Sequence, residues 1–474
     1  MPDTYEREIY LLQPRHLSPE TIAVTFAKTS RSPLSFREIA EELSDEASAR
    51  FHEKWVVGYG HASVAEHAVL HIAFENVSRL AIESIESNRL ASYTEKSTRY
   101  QKWDVGSYHV PAEVLNTKYE TIYRKACDAL FAAYAESLEP VRAVVEAEYP
   151  RTEEEDPARY EGRIRSKYVD VCRFLLPAAA LANVGMTANA RVLEHAIRKM
   201  LSHPLEEVRQ IGEEVKRTAQ LETPTLVKYA DRVPYLEQST ALLGGLGRDL
   251  APEAEAGITR LLEYEPGAEA RVLAAALFAH SSSSFSSIRE AVQAMSQAQQ
   301  DELARAVLGS MESFDAPRRE LEHSAYTFEA VLDQGAYFEL KRHRMMTQTP
   351  QRLSAELGYA VPRLMTEAGF EAKYRQAMET AGEAYQRLEA WNPEVAAYLV
   401  PNGYNRRLLM TLNLREAFHL CELRSAPNAH FSMRRLALQM AEQIREVHPL
   451  LAGFMRLPED ADWRAIEREN FTQV

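Results

Sequence analysis

The sequence predicts a helix-rich α+β protein built as two tandem copies of one domain. Its 474 residues exceed a single ordinary core and suit two or three. Most of the chain carries the apolar spacing of amphipathic helices, and stretches that alternate like strands are short and few. Three sequence blocks of the first half also recur, in the same order, in the second.

The first block, "EIYLLQPRHLSPETIAVTFAKTS" (8–30), predicts a short strand, a turn and a helix opened by Ser18 as N-cap and Pro19 at the first helical position. Its counterpart is "TRLLEYEPGAEARVLAAALFAHSSSS" (259–284), where the serine run resembles a polar helix end. The second block starts at Glu66-His67 and at Glu322-His323. Each start leads into an alternating strand ending in Phe-Glu, then a helical segment with arginine at its end. The third block, 174–197 and 398–421, sets a proline twelve residues before an asparagine, with Asn-x-Arg and then histidine: Pro177, Asn189, Arg191, His195 and Pro401, Asn413, Arg415, His419.

Long helices are predicted over 119–148 and 204–221, with "RTEEEDP" (151–157) a solvated turn, and a last helix over 429–447 burying its Leu, Met and Ile face. The copies run over 1–230 and 257–474, and 231–256 is expected to be a linker or surface turn. Its "GGLG" lacks the G-x-G-x-x-G context of a phosphate loop.

Charge is 55 basic against 69 acidic residues, net −14, which argues against general affinity for nucleic acid or an anionic membrane; an anion would need a local pocket. Cys127, Cys172 and Cys421 stand far apart without a C-x-x-C pair, as expected in a reducing compartment. The start lacks a signal-peptide pattern and no run of 18 apolar residues occurs, so a cytoplasmic protein is expected.

Two segments carry chemistry. "SNRLASYTEKSTRY" (87–100) brings Arg89, Ser92, Glu95, Ser97, Arg99 and Tyr100 close together, a donor set suited to a phosphorylated sugar, although a solvated polar turn has the same composition. "ELKRHRMMTQTPQRLS" (339–354) sets Arg342, His343 and Arg344 beside Met, Thr, Gln and Pro, with no counter-charge following; Met345 and Met346 suit apolar filling. His61, Glu66, His67 and His71 invite a metal reading, but the strand-like alternation after His67 separates them and no H-E-x-x-H occurs; no metal is expected.

"GHASVAEHAVLHIAF" (60–74), "VSR" (77–79) and "RLASYTEKSTRY" (89–100) together resemble the flavin-dependent thymidylate synthase family, whose signature is R-H-R-x-x-S-x-N-E-x-S-x-R-Y. Copy one has the second half of the signature, with Ser87-Asn88 in place of Arg-His and Thr94 in place of Asn. Copy two has Arg342-His343-Arg344 intact, while Thr347, Thr349, Pro350, Arg352 and Ser354 replace Ser, Asn, Glu, Ser and Arg.

The resemblance implies FAD as cofactor, with NADPH and methylenetetrahydrofolate as co-substrates in the reductive methylation of dUMP to dTMP. By the same resemblance FAD contacts fall on His61, Ser63, Glu66 and Arg89, on Glu322, Arg342, His343 and Arg344, and on Asn189, Arg191, Asn413, Arg415 and His419. Nucleotide contacts fall on Glu95, Ser97, Arg99, Arg173 and Arg424. Among these, Arg424, Arg342 and Ser97 act on the substrate, Ser97 as a ligand rather than a nucleophile.

Copy one has Met200 where copy two has Arg424, and copy two has Ala397 where copy one has Arg173. Members of the family are homotetramers that share sites between subunits. The complementary losses therefore imply a pseudo-dimer within one chain, a pseudo-tetramer from a homodimer, and composite sites between unlike copies. A degenerate or repurposed homologue that binds flavin or nucleotide without this activity is the alternative.

Overall fold

The computed structural model describes residues 10–13, 15–30, 32–58, 62–248, 250 and 259–472. They form two compact units that cut across the copies. One comprises Met1–Lys96, Tyr108–Leu115 and Ala180–Ala251; the other comprises Ser97–Ser107, Asn116–Ala179 and Pro252–Val474. A large part of copy one thus folds together with copy two.

In the first unit, β1 (Val69–Ser78), β2 (Ser92–Glu95) and β3 (Leu181–Asn189) make an antiparallel sheet in the order β1-β3-β2. Alternation works as the sequence predicts: Leu70 and Phe74 of β1 and Ala182, Val184, Met186 and Ala188 of β3 are buried. A register shift after Phe74 is accommodated by Asn76 at φ 56°, whose N–H donates to Asn183 Oδ1 at 3.0 Å. Ser78 then caps the Arg79–Ile85 helix by accepting the Ala81 N–H at 2.9 Å, and its hydroxyl donates to Glu207 at 2.6 Å.

The Ala190–Leu201 and Glu206–Ala219 helices approach closely at Gly212, where an added Cβ would stand 2.9 Å from Met200 Cβ and 3.1 Å from the Leu201 nitrogen. Gly212→Ala is therefore expected to cost about 1–3 kcal/mol of stability by overpacking. Thermal melting checks this, and an unchanged midpoint would contradict it.

In the second unit, β4 (Thr259–Tyr264), β5 (Tyr326–Asp333), β6 (Thr347–Pro350) and β7 (Asn405–Leu412) form an antiparallel sheet ordered β4-β5-β7-β6. Its core joins Tyr326, Phe328, Leu408 and Met410 to Met433, Leu436, Met440 and Ile444 of the Phe431–Val447 helix. The Glu120–Glu148 helix of copy one packs on the Glu371–Glu389 helix of copy two.

The turns that carry Pro177 and Pro401, equivalent positions of the third block, pair with each other in antiparallel fashion. Ala178 N–H donates to Val400 O at 3.0 Å and Asn402 N–H to Leu176 O at 3.0 Å; Ala179 N–H donates to Tyr398 O and Gly403 N–H to Phe174 O. Each bond has its mirror with the copies exchanged, which is the signature of a local two-fold relation between duplicated segments.

Several expectations need correction. The strand expected at the start of copy one falls partly outside the described residues, and 10–13 are not paired in a sheet, whereas the copy-two counterpart is β4. Within the expected linker, residues Pro234–Arg248 are helical through "GGLG"; alanine and leucine favour helix locally although Leu242, Leu243 and Leu246 stay exposed. Residues 92–95, inside the segment whose composition also suits a solvated polar turn, instead form a strand that hydrogen-bonds to β3. The serine run ends in the N-cap Ser284 of the Phe285–Ala294 helix. The predicted turn at 151–157 does separate helices Glu120–Glu148 and Pro157–Cys172. No described helix is long and apolar enough to cross a membrane.

Candidate functional site

Both copies build a cleft in the same way. In copy two, Asn413 caps the Leu414–Ser425 helix by accepting the Glu416 N–H at 2.9 Å, which sets Arg415 and His419 on the first turns. Arg415 Nη1 meets Glu322 at 2.8 Å, and its Nε donates to Pro317 O at 2.8 Å. The cleft holds about 570 Å³, and exposed Phe314, Met345 and Leu423 add apolar surface to a lining that includes Asn413, Arg415 and His419.

In copy one, Asn189 caps the Ala190–Leu201 helix through the Val192 N–H, and Arg191 pairs with Glu66. Glu66, Arg89, Asn189, Arg191, His195 and Arg198 line an open cleft of about 1050 Å³. The structure therefore gathers Glu66, Arg89, Asn189 and Arg191 around one cleft, and Glu322, Asn413, Arg415 and His419 around the other. Ser63 instead lines a smaller pocket with Phe26, Trp55 and His67, and His61 lies outside the described residues.

The cationic triplet follows the Gln334–Leu340 helix. Arg342 is exposed and Arg344 half-buried, while His343 is buried between two partners. Its Nε2 accepts from Arg424 Nε at 3.0 Å. Arginine Nε can only donate, so the His343 proton sits on Nδ1 and is donated to Glu416 at 2.9 Å. Burial holds the imidazole below its ordinary pKa, and the Arg424 charge adds to this, against the pull of Glu416. The chain Glu416–His343–Arg424 fixes the guanidinium, whose Nη1 and Nη2 reach Glu339 Oε2 at 3.1 Å and Glu339 O at 3.2 Å.

Glu339 is the meeting point of both copies. Arg99 places Nη1 3.5 Å from Glu339 Oε1, Nε 3.0 Å from Asp170 Oδ2, and donates from Nη2 to Asn428 O at 3.1 Å. Arg173, 1% exposed, holds Asp170 Oδ1 at 2.9 Å and stands 3.7 Å from Glu339 Oε1, while its Nη1 donates to Thr98 Oγ1 at 3.1 Å. Three guanidinium groups thus surround two carboxylates, with His430 Nε2 3.7 Å from Asp170. Burial, with Arg173 and Arg99 nearby, keeps His430 neutral well below its usual range.

The charges are close but poorly aligned. Arg173 Nε and Nη2, Glu339 Oε1, Asp170 Oδ1 and His430 Nε2 are all buried without a hydrogen bond of acceptable geometry. Arginine forks with a net positive excess and unaligned donors are suited to a planar or tetrahedral oxyanion.

Two expected site residues are placed differently. Glu95 is 2.9 Å from Arg79 in an ion pair sealed from solvent and lines neither cleft, because its strand position points it inward. Ser97 shapes its own loop: its hydroxyl accepts the Arg99 N–H at 3.2 Å and its carbonyl accepts from Gln101 at 3.1 Å. Glu339, Asp170, Glu416 and His430 were not foreseen. For Asp170 the available signal was spacing, since it precedes Arg173 by one helical turn; the partners of Glu339 are Arg99, Arg173 and Arg424, all distant in sequence.

His67 ends a 3-10 turn and His71 lies on β1, where its Nδ1 is 2.8 Å from Thr187 Oγ1. Among the described residues no group of three His, Cys, Asp or Glu side chains could hold a metal ion. All three cysteines are free and buried, and burial raises Cys172 and Cys421 to about 12 and Cys127 well above its usual range, so none is poised as a thiolate.

Duplicated Asn-capped helices and duplicated clefts define a tandem arrangement of one domain. The chain belongs to the thymidylate synthase complementing protein family, which matches residues 14–225 and again 260–450. A UPF0159 protein of Chlamydia muridarum is 31% identical over 481 residues, covering 92% of this chain and 90% of that protein. A flavin-dependent thymidylate synthase of Clostridium tetani is 28% identical over 215 residues, 45% of this chain and 82% of that one. Among solved structures, flavin-dependent thymidylate synthase ThyX from Helicobacter pylori complexed with FAD and dUMP is 21% identical, with a TM-score of 0.32, covering 43% of this chain and 100% of that one.

Proposed function

We propose that this chain is a cytoplasmic flavin-dependent thymidylate synthase that converts dUMP to dTMP at a site composed from both copies, working as a homodimer. The observation that carries the reading is the convergence of Arg99 and Arg173 from copy one with Arg424 from copy two on Glu339. Family membership and the likeness to the flavin-dependent thymidylate synthase of Clostridium tetani support the reaction type.

FAD suits the clefts. In copy two Phe314, Met345 and Leu423 line the same cleft as Asn413, Arg415 and His419, the combination a flat ring with a polar, anionic tail requires. Bound there, FAD would supply hydride chemistry, drawing its electrons from NADPH. Overall, methylenetetrahydrofolate gives up its methylene carbon and leaves as tetrahydrofolate; C5 of dUMP exchanges its proton for that carbon, and a hydride equivalent brings the carbon to the methyl level.

The chain's own residues bind and orient. Arg99 and Arg173 hold the nucleotide phosphate, and Arg424, locked by His343 and Glu416, stabilises negative charge on the uracil. The purified protein is expected to show flavin absorbance and to release tritium from C5-labelled dUMP only with FAD, NADPH and methylenetetrahydrofolate present. A colourless protein that neither takes up FAD nor releases tritium would overturn the reading.

A second reading is a flavin- or nucleotide-binding protein without thymidylate synthase activity. The presence of Asp170 and Glu339 inside the arginine cluster favours it, because two carboxylates already neutralise much of the charge a phosphate would meet. Binding of FAD and dUMP without tritium release distinguishes it.

A further inference from the structure

Beside the arginine cluster, the Pro157–Cys172 and Phe431–Val447 helices border a further pocket of about 290 Å³. Its charged lining is Arg99, Arg363, Lys167 and Arg434 with Glu148, Asp170 and Glu469. Two of the cations are satisfied: Arg99 by Asp170 and Asn428 O, and Arg363 by Glu148 at 3.0 Å and by Glu367. The other two are not. Among the described residues neither Lys167 nor Arg434 has a carboxylate within ion-pair distance, although exposed Glu469 attracts Arg434 from the rim.

Lys167 is held in place with Nζ 4.0 Å above the Tyr149 ring. Arg434 Nε is shielded from solvent and has no hydrogen-bond partner. Burial lowers the pKa of both groups; for Lys167 the neighbouring Arg163 and Arg434 charges add to this, opposed by Glu148 and Asp170. Ala429 and Phe431, at the N-terminal end of the 17-residue helix, complete the wall. Two half-buried like charges in one small pocket are unfavourable unless an anion joins them.

We propose that this pocket is a second oxyanion site, which takes a phosphate or carboxylate group of a small ligand between Lys167 and Arg434. It adjoins the arginine cluster through Arg99, whose other edge faces Glu339. The proposal goes beyond the synthase reading and is tested without FAD or dUMP.

Inorganic phosphate and triglutamate peptide are titrated calorimetrically into the full-length protein at matched ionic strength. At least one is expected to bind, and Lys167→Met or Arg434→Gln should weaken that binding about 10- to 100-fold, the loss of a charged hydrogen-bond donor. Phosphate alone binding assigns a phosphoryl ligand, and the peptide alone a carboxylate ligand. Ligand-free Lys167→Met is expected to melt at or above wild type, because a repulsion is relieved; this separates a binding residue from a structural one. Binding of neither probe would overturn the proposal. So would binding that survives Lys167→Met and Arg434→Gln but is lost in Arg424→Ala, which would put the anion in the arginine cluster.

Discussion

Arg173→Met is expected to lower the unfolding free energy by about 3–5 kcal/mol and to abolish dUMP binding, the pattern for breaking a buried ion network by removing one partner. The side chain is sealed in the second unit, and its guanidinium lies between Asp170 and Glu339. Without it two buried carboxylates face each other with only Arg99 and Arg424 to compensate. The backbone consequence is local as well, because Asn402 Nδ2 donates to Arg173 O at 2.9 Å beside the paired proline turns. Adding Asp170→Asn to Arg173→Met should recover part of the stability but none of the binding. Urea denaturation and dUMP titration measure the two effects, and a stability loss below about 1 kcal/mol would show that the network is weakly coupled.

Arg424→Lys is expected to reduce tritium release from C5-labelled dUMP by about 100- to 1000-fold, the range for losing a preorganised electrostatic donor. Lysine keeps the charge but not the planar fork. It cannot span His343 Nε2, Glu339 Oε2 and Glu339 O together, as Arg424 does at 3.0, 3.1 and 3.2 Å. Stability should change little, since a lysine ammonium still reaches Glu339. A lysine variant turning over at the wild-type rate would remove the oriented-charge role.

Much of this was legible in the amino-acid order. The duplicated Glu-His, Asn-x-Arg and proline positions give the tandem copies, and the alternation after His67 and His323 gives β1 and β5. The gathering of Glu66 with Arg191 and of Glu322 with Arg415 follows from equivalent spacing in the copies. What was not legible depends on long-range packing. Nothing near Glu339 in sequence shows that it will meet Arg99 and Arg173, which come to it through the tertiary fold. Glu95 sits in a motif that suggests a ligand contact, yet strand alternation turns it toward Arg79. The helix at Pro234–Arg248 was hidden because its glycines signal a turn, while the alanine and leucine around them hold the helix.

The most direct measurement is a double-mutant cycle on dUMP affinity with Arg99→Ala and Arg424→Ala, singly and combined. A shared site predicts non-additive losses, with a coupling of about 1 kcal/mol or more. Losses that add within about 0.5 kcal/mol, or an Arg99→Ala protein that binds dUMP as wild type does, would contradict a single cavity built from both copies.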